Sequence, residues 1–315
     1  MRAITVVLAI LLAIGLAIFL AVSTGDGPVP VEMPVATSDP PAYLAGTTSR
    51  LVESAITGRT YQVSVRLPRT YDTSNETYPV LYAVDDFGMV VEIARLLPNE
   101  ELIPELIIVG IGYPVGHFVD AAGARALELT PSVFKAWEEN RAVVLSENPD
   151  LPALEGSGGA PEFLSFLRQE LIPLIETEYR VDPEDRALYG HSLGGLFAFH
   201  ALLNNSGTFH KFIVASPSLW WDSGVTFEHE ATFAESNHAL PARAFFSVGL
   251  LEDDVAHEPT GWGLMITNLR KLVDVLEQRE YDGFVWDVHF FEDETHGSVI
   301  PATISRGLRY IYGEH

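Results

Sequence analysis

Short, continuously apolar runs alternate along this chain with stretches whose apolar positions recur every three or four residues, and each pattern forecasts a different element. Val80–Val84 and Leu106–Ile111 are apolar throughout, as strands buried on both faces are. Thr60–Leu67 alternates in character and stops at Pro68. Arg186–Gly190 leads into the helix-like Leu193–Leu203, and Phe212–Ala215 into Ser216-Pro217-Ser218. Phe245–Val248 is followed by a helical pattern over Leu264–Glu277, and Phe284–Phe291 by a final helix near Val299–Tyr312. Strand followed by helix, repeated this way, predicts an α/β protein with a mostly parallel central sheet and helices on both faces.

Ahead of these elements, Met1-Arg2 precedes a run from Ala3 to Val22 with neither charge nor proline, long enough to cross a bilayer as a helix. Residues 1–23 therefore predict export to the periplasm or the cell exterior, as a signal peptide cut after Ser23 or as a retained membrane anchor. Residues 24–48 are rich in Pro, Gly, Ser and Thr and read as a linker or N-terminal arm. A single domain at 49–315 is the economical division, since no second linker and no internal repeat follow.

Charge narrows the partners. The 315 residues carry 19 basic and 43 acidic side chains, a net charge of −24. Nucleic acid is excluded as a partner, because a polyanion is bound by clustered Lys and Arg. Cysteine is absent, which removes disulfides, thiolate catalysis and Cys-ligated zinc.

Chemistry concentrates at Gly190-His191-Ser192-Leu193-Gly194-Gly195, a G-x-S-x-G motif placed after an apolar strand and directly before a helix. In that setting the glycines permit a tight turn that lifts the Ser192 hydroxyl to the carboxyl end of the sheet. A serine nucleophile needs a base, and the base needs a carboxylate to set its tautomer. Glu252-Asp253-Asp254 follows the strand Phe245–Val248, and His296 follows Phe284–Phe291, so the order Ser192, Glu252, His296 is the one this architecture requires. Glu252 stands three residues after Gly249 and is the favoured acid, with Asp254 next; His257 is a minor alternative for the base. The developing oxyanion needs donors. These are expected from the backbone N–H of Leu193 and from Asp85-Asp86-Phe87-Gly88, where Phe87 or Asp86 would donate.

Several separated motifs resemble one family. Gly158-Gly159-Ala160-Pro161-Glu162-Phe163, Glu170-Leu171-Ile172-Pro173, Tyr179-Arg180, Arg186 to Phe197, Ser216-Pro217-Ser218-Leu219-Trp220-Trp221 and Glu294-Thr295-His296-Gly297-Ser298 together look like the putative-esterase family of α/β hydrolases. That family includes esterase D-like enzymes and hydrolases that open iron-loaded trilactone siderophores. The resemblance spans about residues 49–312 and implies an α/β hydrolase fold, a serine nucleophile, a histidine base, a small-molecule ester substrate and neither metal nor cofactor. By position these roles fall on Ser192 and His296, with Glu252 as the acid. Asp86 and His191 beside the nucleophile, Arg125 as local positive charge, and Trp220 and Trp221 as pocket wall complete the set expected to meet substrate. Relatives resemble Asp-Gly where this chain has Asp85-Asp86. The segment from Gly112 to Gly159 would cover the site as a lid or acyl pocket. Two alternatives stand beside ester hydrolysis: acyl transfer to an alcohol by the same triad, and a catalytically silent extracellular binding module.

Overall fold

The computed structural model describes residues 44–313 apart from 45, 101, 115–117, 148–155, 205–206 and 254–262. The apolar run 3–22 and most of the stretch 24–48 lie outside the described residues. Among the described residues, no helix is long and apolar enough to cross a membrane.

Eight strands form one sheet: β1 (Thr47–Glu53), β2 (Thr60–Arg66), β3 (Tyr78–Ala83), β4 (Ile107–Gly112), β5 (Val181–His191), β6 (Lys211–Ala215), β7 (Ala239–Gly249) and β8 (Asp282–Phe291). Their spatial order is β1-β2-β4-β3-β5-β6-β7-β8. β1 and β2 run antiparallel, β2 pairs antiparallel with β4, and every pairing from β4 to β8 is parallel. Thr47 and Thr48, expected at the end of the linker, are the first residues of β1. This largely exposed strand lacks the apolar run that marks the central ones, and its pairing with β2 is what orders it.

The central strands read as unbroken apolar runs because both faces are covered. Leu188, Val214 and Phe246 face one side, where they meet Phe163, Leu171 and Phe197. Ala187, Ile213 and Phe245 face the other, against Val90, Ile304 and Leu308. The helices follow the chain as α1 (Phe87–Ala94), α2 (Phe118–Glu128), α3 (Lys135–Glu147), α4 (Ala160–Phe166), α5 (Ile172–Glu178), α6 (Leu193–Leu203), α7 (Trp221–Ser236), α8 (Met265–Arg279) and α9 (Ile300–Tyr312). A short π-helical stretch, Leu167–Leu171, joins α4 to α5. α9 buries Thr303, Ile304, Gly307, Leu308 and Ile311, a three-to-four-residue spacing that lays one stripe on the sheet. α6 is buried nearly all round, as a helix behind a central strand must be.

Candidate active site

The loops at the carboxyl ends of β3, β5, β6, β7 and β8 supply Asp85, Ser192, Ser218, Glu252 and His296. Ser192 lies between β5 and α6 with φ 62° and ψ −117°, a strained conformation for a residue with a side chain. Close packing imposes it: a β-carbon on Gly190 would strike the Gly194 backbone, and one on Gly194 would strike the carboxylate of Asp85. Ser192 N–H donates to Ala215 O at 3.0 Å, and Ser192 O accepts from Leu196 N–H at 3.0 Å and Ser218 N–H at 3.1 Å. The turn is thus tied to both its own helix and the loop after β6.

His296 and Glu252 meet at the far end of the sheet. Nδ1 of His296 lies 2.6 Å from Glu252 Oε2. A carboxylate on Nδ1 keeps the proton there and leaves Nε2 as the acceptor a base requires. The Glu252 side chain is fully buried while His296 is half exposed. Its second oxygen, Oε1, accepts from Ser216 Oγ at 2.7 Å and from the Gly249 backbone N–H at 2.6 Å. Of the alternatives, Asp253 is occupied elsewhere, accepting Ile266 N–H at 2.7 Å and Thr267 Oγ1 at 2.8 Å at the start of α8. Asp254 and His257 lie outside the described residues.

His191 packs its ring against that of His296 with centroids 4.4 Å apart. Burial, reinforced by His296 and Arg125, pushes its pKa down to about 3, so the ring is neutral at physiological pH. It adds no charge to the site.

On the opposite side of Ser192 lies the loop after β3. Asp85 Oδ2 accepts the His191 backbone N–H at 3.1 Å, and Oδ1 accepts Arg125 Nε at 2.9 Å and lies 2.7 Å from its Nη2. Burial pushes the Asp85 carboxyl up to about 6, although Arg125 pulls it the other way. Arg125, expected to offer positive charge to substrate, has one edge of its guanidinium engaged by Asp85 and lines the cavity beside this loop. Asp86, also expected to touch substrate, accepts the Tyr189 hydroxyl on its Oδ2 at 2.8 Å. Next to this loop is a cavity of about 330 Å³ lined by Ser64, Asp86, Phe87, Gly110, Tyr113 and Arg125 among others. A larger cavity, about 840 Å³, is lined by Arg69, Leu102, Arg309 and Tyr312 beside the amino ends of β3 and β4, and it contains none of the site.

The two tryptophans separate. Trp221 is fully buried, and its Nε1–H donates to Ser132 O at 3.1 Å, so it presents no surface to a substrate and the expectation of a pocket wall is corrected. Its ring packs on Phe134 at 5.4 Å and Trp137 at 5.1 Å, which anchors the segment between β4 and α4 to the core. Large aromatic area is the reason: buried against three rings, an indole contributes more to packing than at a wet rim. Trp220 is half-buried and stacks on Trp221 at 5.8 Å.

Four functional neighbours, Asp85, Tyr189, Ser216 and Ser218, lie within motifs the sequence displays, but no role of their side chains could be read from it. Ser216 adopts φ 39°, and its hydroxyl is aimed at Glu252. Ser218 Oγ lies 3.5 Å from Ser192 Oγ. Both serines belong to the Ser216-Pro217-Ser218 turn that follows β6 at the carboxyl edge of the sheet, the one signal that could have singled them out. Among the described residues, no group of three or more His, Asp or Glu side chains is disposed to hold a metal ion.

A family model described as "Putative esterase" matches residues 54–296. Among characterised relatives, the chain is similar to the ferri-bacillibactin esterase BesA of Bacillus subtilis, at 30% identity over 276 residues, 85% of this chain and 90% of the relative. It is also similar to the siderophore triacetylfusarinine C esterase of Aspergillus fumigatus, at 28% identity over 91% of this chain and 97% of the relative. Among solved structures, the BES protein of Bacillus cereus superposes with a TM-score of 0.70 at 27% identity, covering 89% of this chain and all of that one.

Proposed function

The chain belongs to the putative esterase family, carboxylic-ester hydrolases, and on that premise we propose that it is a serine hydrolase that cleaves the ester bonds of a siderophore. Ser192 Oγ attacks the ester carbonyl while His296 Nε2 takes its proton, and Glu252 holds the imidazolium in place. The backbone N–H groups of Leu193 and Phe87 receive the oxyanion. Collapse expels the alcohol, protonated by His296, and leaves an acyl group on Ser192. Water, deprotonated by the same histidine, then releases the acid and restores the serine. The observation that carries this reading is the 2.6 Å contact between His296 Nδ1 and Glu252 Oε2, a fully buried carboxylate held by two further donors. The substrate class is supported by the names of two relatives, a ferri-bacillibactin esterase and a siderophore triacetylfusarinine C esterase.

The uncharged run 3–22 supports export, with residues 49–315 as a catalytic domain working beyond the cytoplasmic membrane. Fractionation of cells together with the mass of the mature amino terminus tests that placement.

The decisive assay compares wild type with Ser192→Ala on short p-nitrophenyl esters and on an iron-loaded catecholate trilactone. Loss of at least a thousandfold in kcat/KM is expected, in keeping with removal of a nucleophile. A loss below tenfold sinks the serine mechanism, and turnover confined to the short esters sinks the siderophore substrate.

A further inference from the structure

Asp86 opens α1 in the left-handed conformation, φ 51° and ψ 25°. An aspartate at a helix N-cap with the usual extended backbone folds its carboxylate onto the N–H of the second or third helical residue, here Gly88 or Met89. Here it makes no such cap. Its Oδ2 accepts the hydroxyl of Tyr189 instead, at 2.8 Å, from β5 three residues ahead of Ser192. Tyr189 is fully buried, and burial together with the Asp86 carboxylate holds its phenol well above the ordinary value, so it remains a donor.

The consequence falls on the helix start. The first intrahelical hydrogen bond runs from Val90 N–H to Asp86 O at 2.9 Å, so the N–H groups of Phe87 and Gly88 precede the helical ladder and are not consumed by it. The same loop is fastened to the elbow by Val84 N–H to Tyr189 O at 3.1 Å and by His191 N–H to Asp85 Oδ2. A carboxylate folded over the helix start would take Gly88 N–H and set its negative charge beside Phe87 N–H, where it would repel an arriving oxyanion.

We propose that Tyr189 is a positioning residue that holds the Asp86 carboxylate away from the first-turn N–H groups of α1, keeping them open for the substrate oxyanion. The proposal rests on the esterase reading above, with Phe87 as the second oxyanion donor. It assigns the aspartate at position 86 a latent inhibitory role that the tyrosine hydroxyl suppresses.

The test uses the full chain and a short p-nitrophenyl ester, with wild type, Ser192→Ala, Tyr189→Phe and the double variant Tyr189→Phe/Asp86→Gly measured side by side. Removing the hydroxyl frees the carboxylate, so Tyr189→Phe is expected to lower kcat tenfold or more while KM stays within twofold. The double variant has no carboxylate and a residue at ease at positive φ. Its kcat is expected to rise at least fivefold above that of Tyr189→Phe. Because the second substitution also removes a carboxylate left without its donor, the melting temperature of each variant is recorded beside the rates: a kcat loss in Tyr189→Phe with the melting temperature within about 2 °C of wild type supports the proposal, and a kcat loss that tracks a lowered melting temperature overturns it. A kcat for Tyr189→Phe within twofold of wild type overturns the proposal, as does a double variant no faster than the single one. Ser192→Ala separates the two layers: retained activity there removes the esterase reading itself, whereas an inactive Ser192→Ala beside an unaffected Tyr189→Phe removes only this inference. A crystal structure of the wild-type phosphonate adduct gives an answer independent of how the variants fold. Phosphoryl oxygen on Phe87 or Gly88 N–H with Asp86 on Tyr189 supports the proposal, and phosphoryl oxygen bound elsewhere overturns it.

Discussion

Two buried carboxylates flank Ser192 and are held in opposite ways. Glu252 is held by dipolar donors, the Ser216 hydroxyl and the Gly249 N–H, and among the described residues its ionisable hydrogen-bond partner is His296. Asp85 is held by the Arg125 guanidinium and the His191 backbone N–H. Dipoles orient a carboxylate without cancelling its charge, so the negative charge of Glu252 stays available to an imidazolium forming on His296. A guanidinium cancels the charge, and Asp85 becomes a joint between the segment carrying Arg125 and the turn carrying the nucleophile. One carboxylate serves a changing charge and the other a fixed shape.

The comparison breaks most severely at Glu252. In Glu252→Gln the Nδ1 proton loses its ionic acceptor, and kcat is expected to fall by roughly two to four orders of magnitude with KM little changed. Steady-state kinetics on a short ester measure this; a loss below tenfold would mean that the buried charge does not serve His296. Next in size, Trp221→Ala removes the indole on which Phe134 and Trp137 rest. It is expected to lower unfolding stability by about 3–5 kcal/mol, read by urea denaturation, because the large cavity left behind lies in the core. A loss under 1 kcal/mol would return Trp221 to the pocket wall.

Asp85 supplies a pH signature. Its carboxyl is raised from 3.8 to about 6 in the folded protein, so the folded state holds this proton more tightly than the unfolded chain does. Stability contributed by the group is therefore present below the unfolded pKa and is lost as pH rises through about 4 to 6, amounting to about 3 kcal/mol. Asp85→Asn should flatten that part of the profile of unfolding free energy against pH. An unchanged slope would show that Asp85 does not carry it. The smallest effect is expected at Ser216→Ala, which removes one of the two dipolar donors on Glu252 and leaves the Gly249 N–H. A fall of about tenfold or less in kcat/KM, near 1.4 kcal/mol, separates this support from the loss of the acid itself.

Legibility differed between these flanks for a physical reason. Ser192, Glu252 and His296 each follow a strand written as an apolar run, so their places at the carboxyl edge of the sheet could be read from local pattern. α6 was expected over Leu193–Leu203 and spans those residues. Asp85 was read only as part of a loop, because its partners lie 40 and 106 positions away and nothing local announces them. Trp220 and Trp221 are adjacent and chemically alike, yet one is enclosed and the other half-buried; the aromatic pair itself gave no hint which face would meet Phe134 and Trp137.

By itself, the order of apolar runs and turn residues determined that this chain builds a doubly covered, mostly parallel sheet with Ser192, Glu252 and His296 each just after a strand, because period and punctuation are local properties. Tertiary structure alone decided which of the consecutive acids after β7 meets the histidine, that Arg125 is engaged by Asp85, and that Asp86 turns to Tyr189 instead of capping its own helix. Each of those outcomes depends on charged and polar atoms brought together from distant parts of the chain, where burial and geometry select among partners that are equivalent in the sequence.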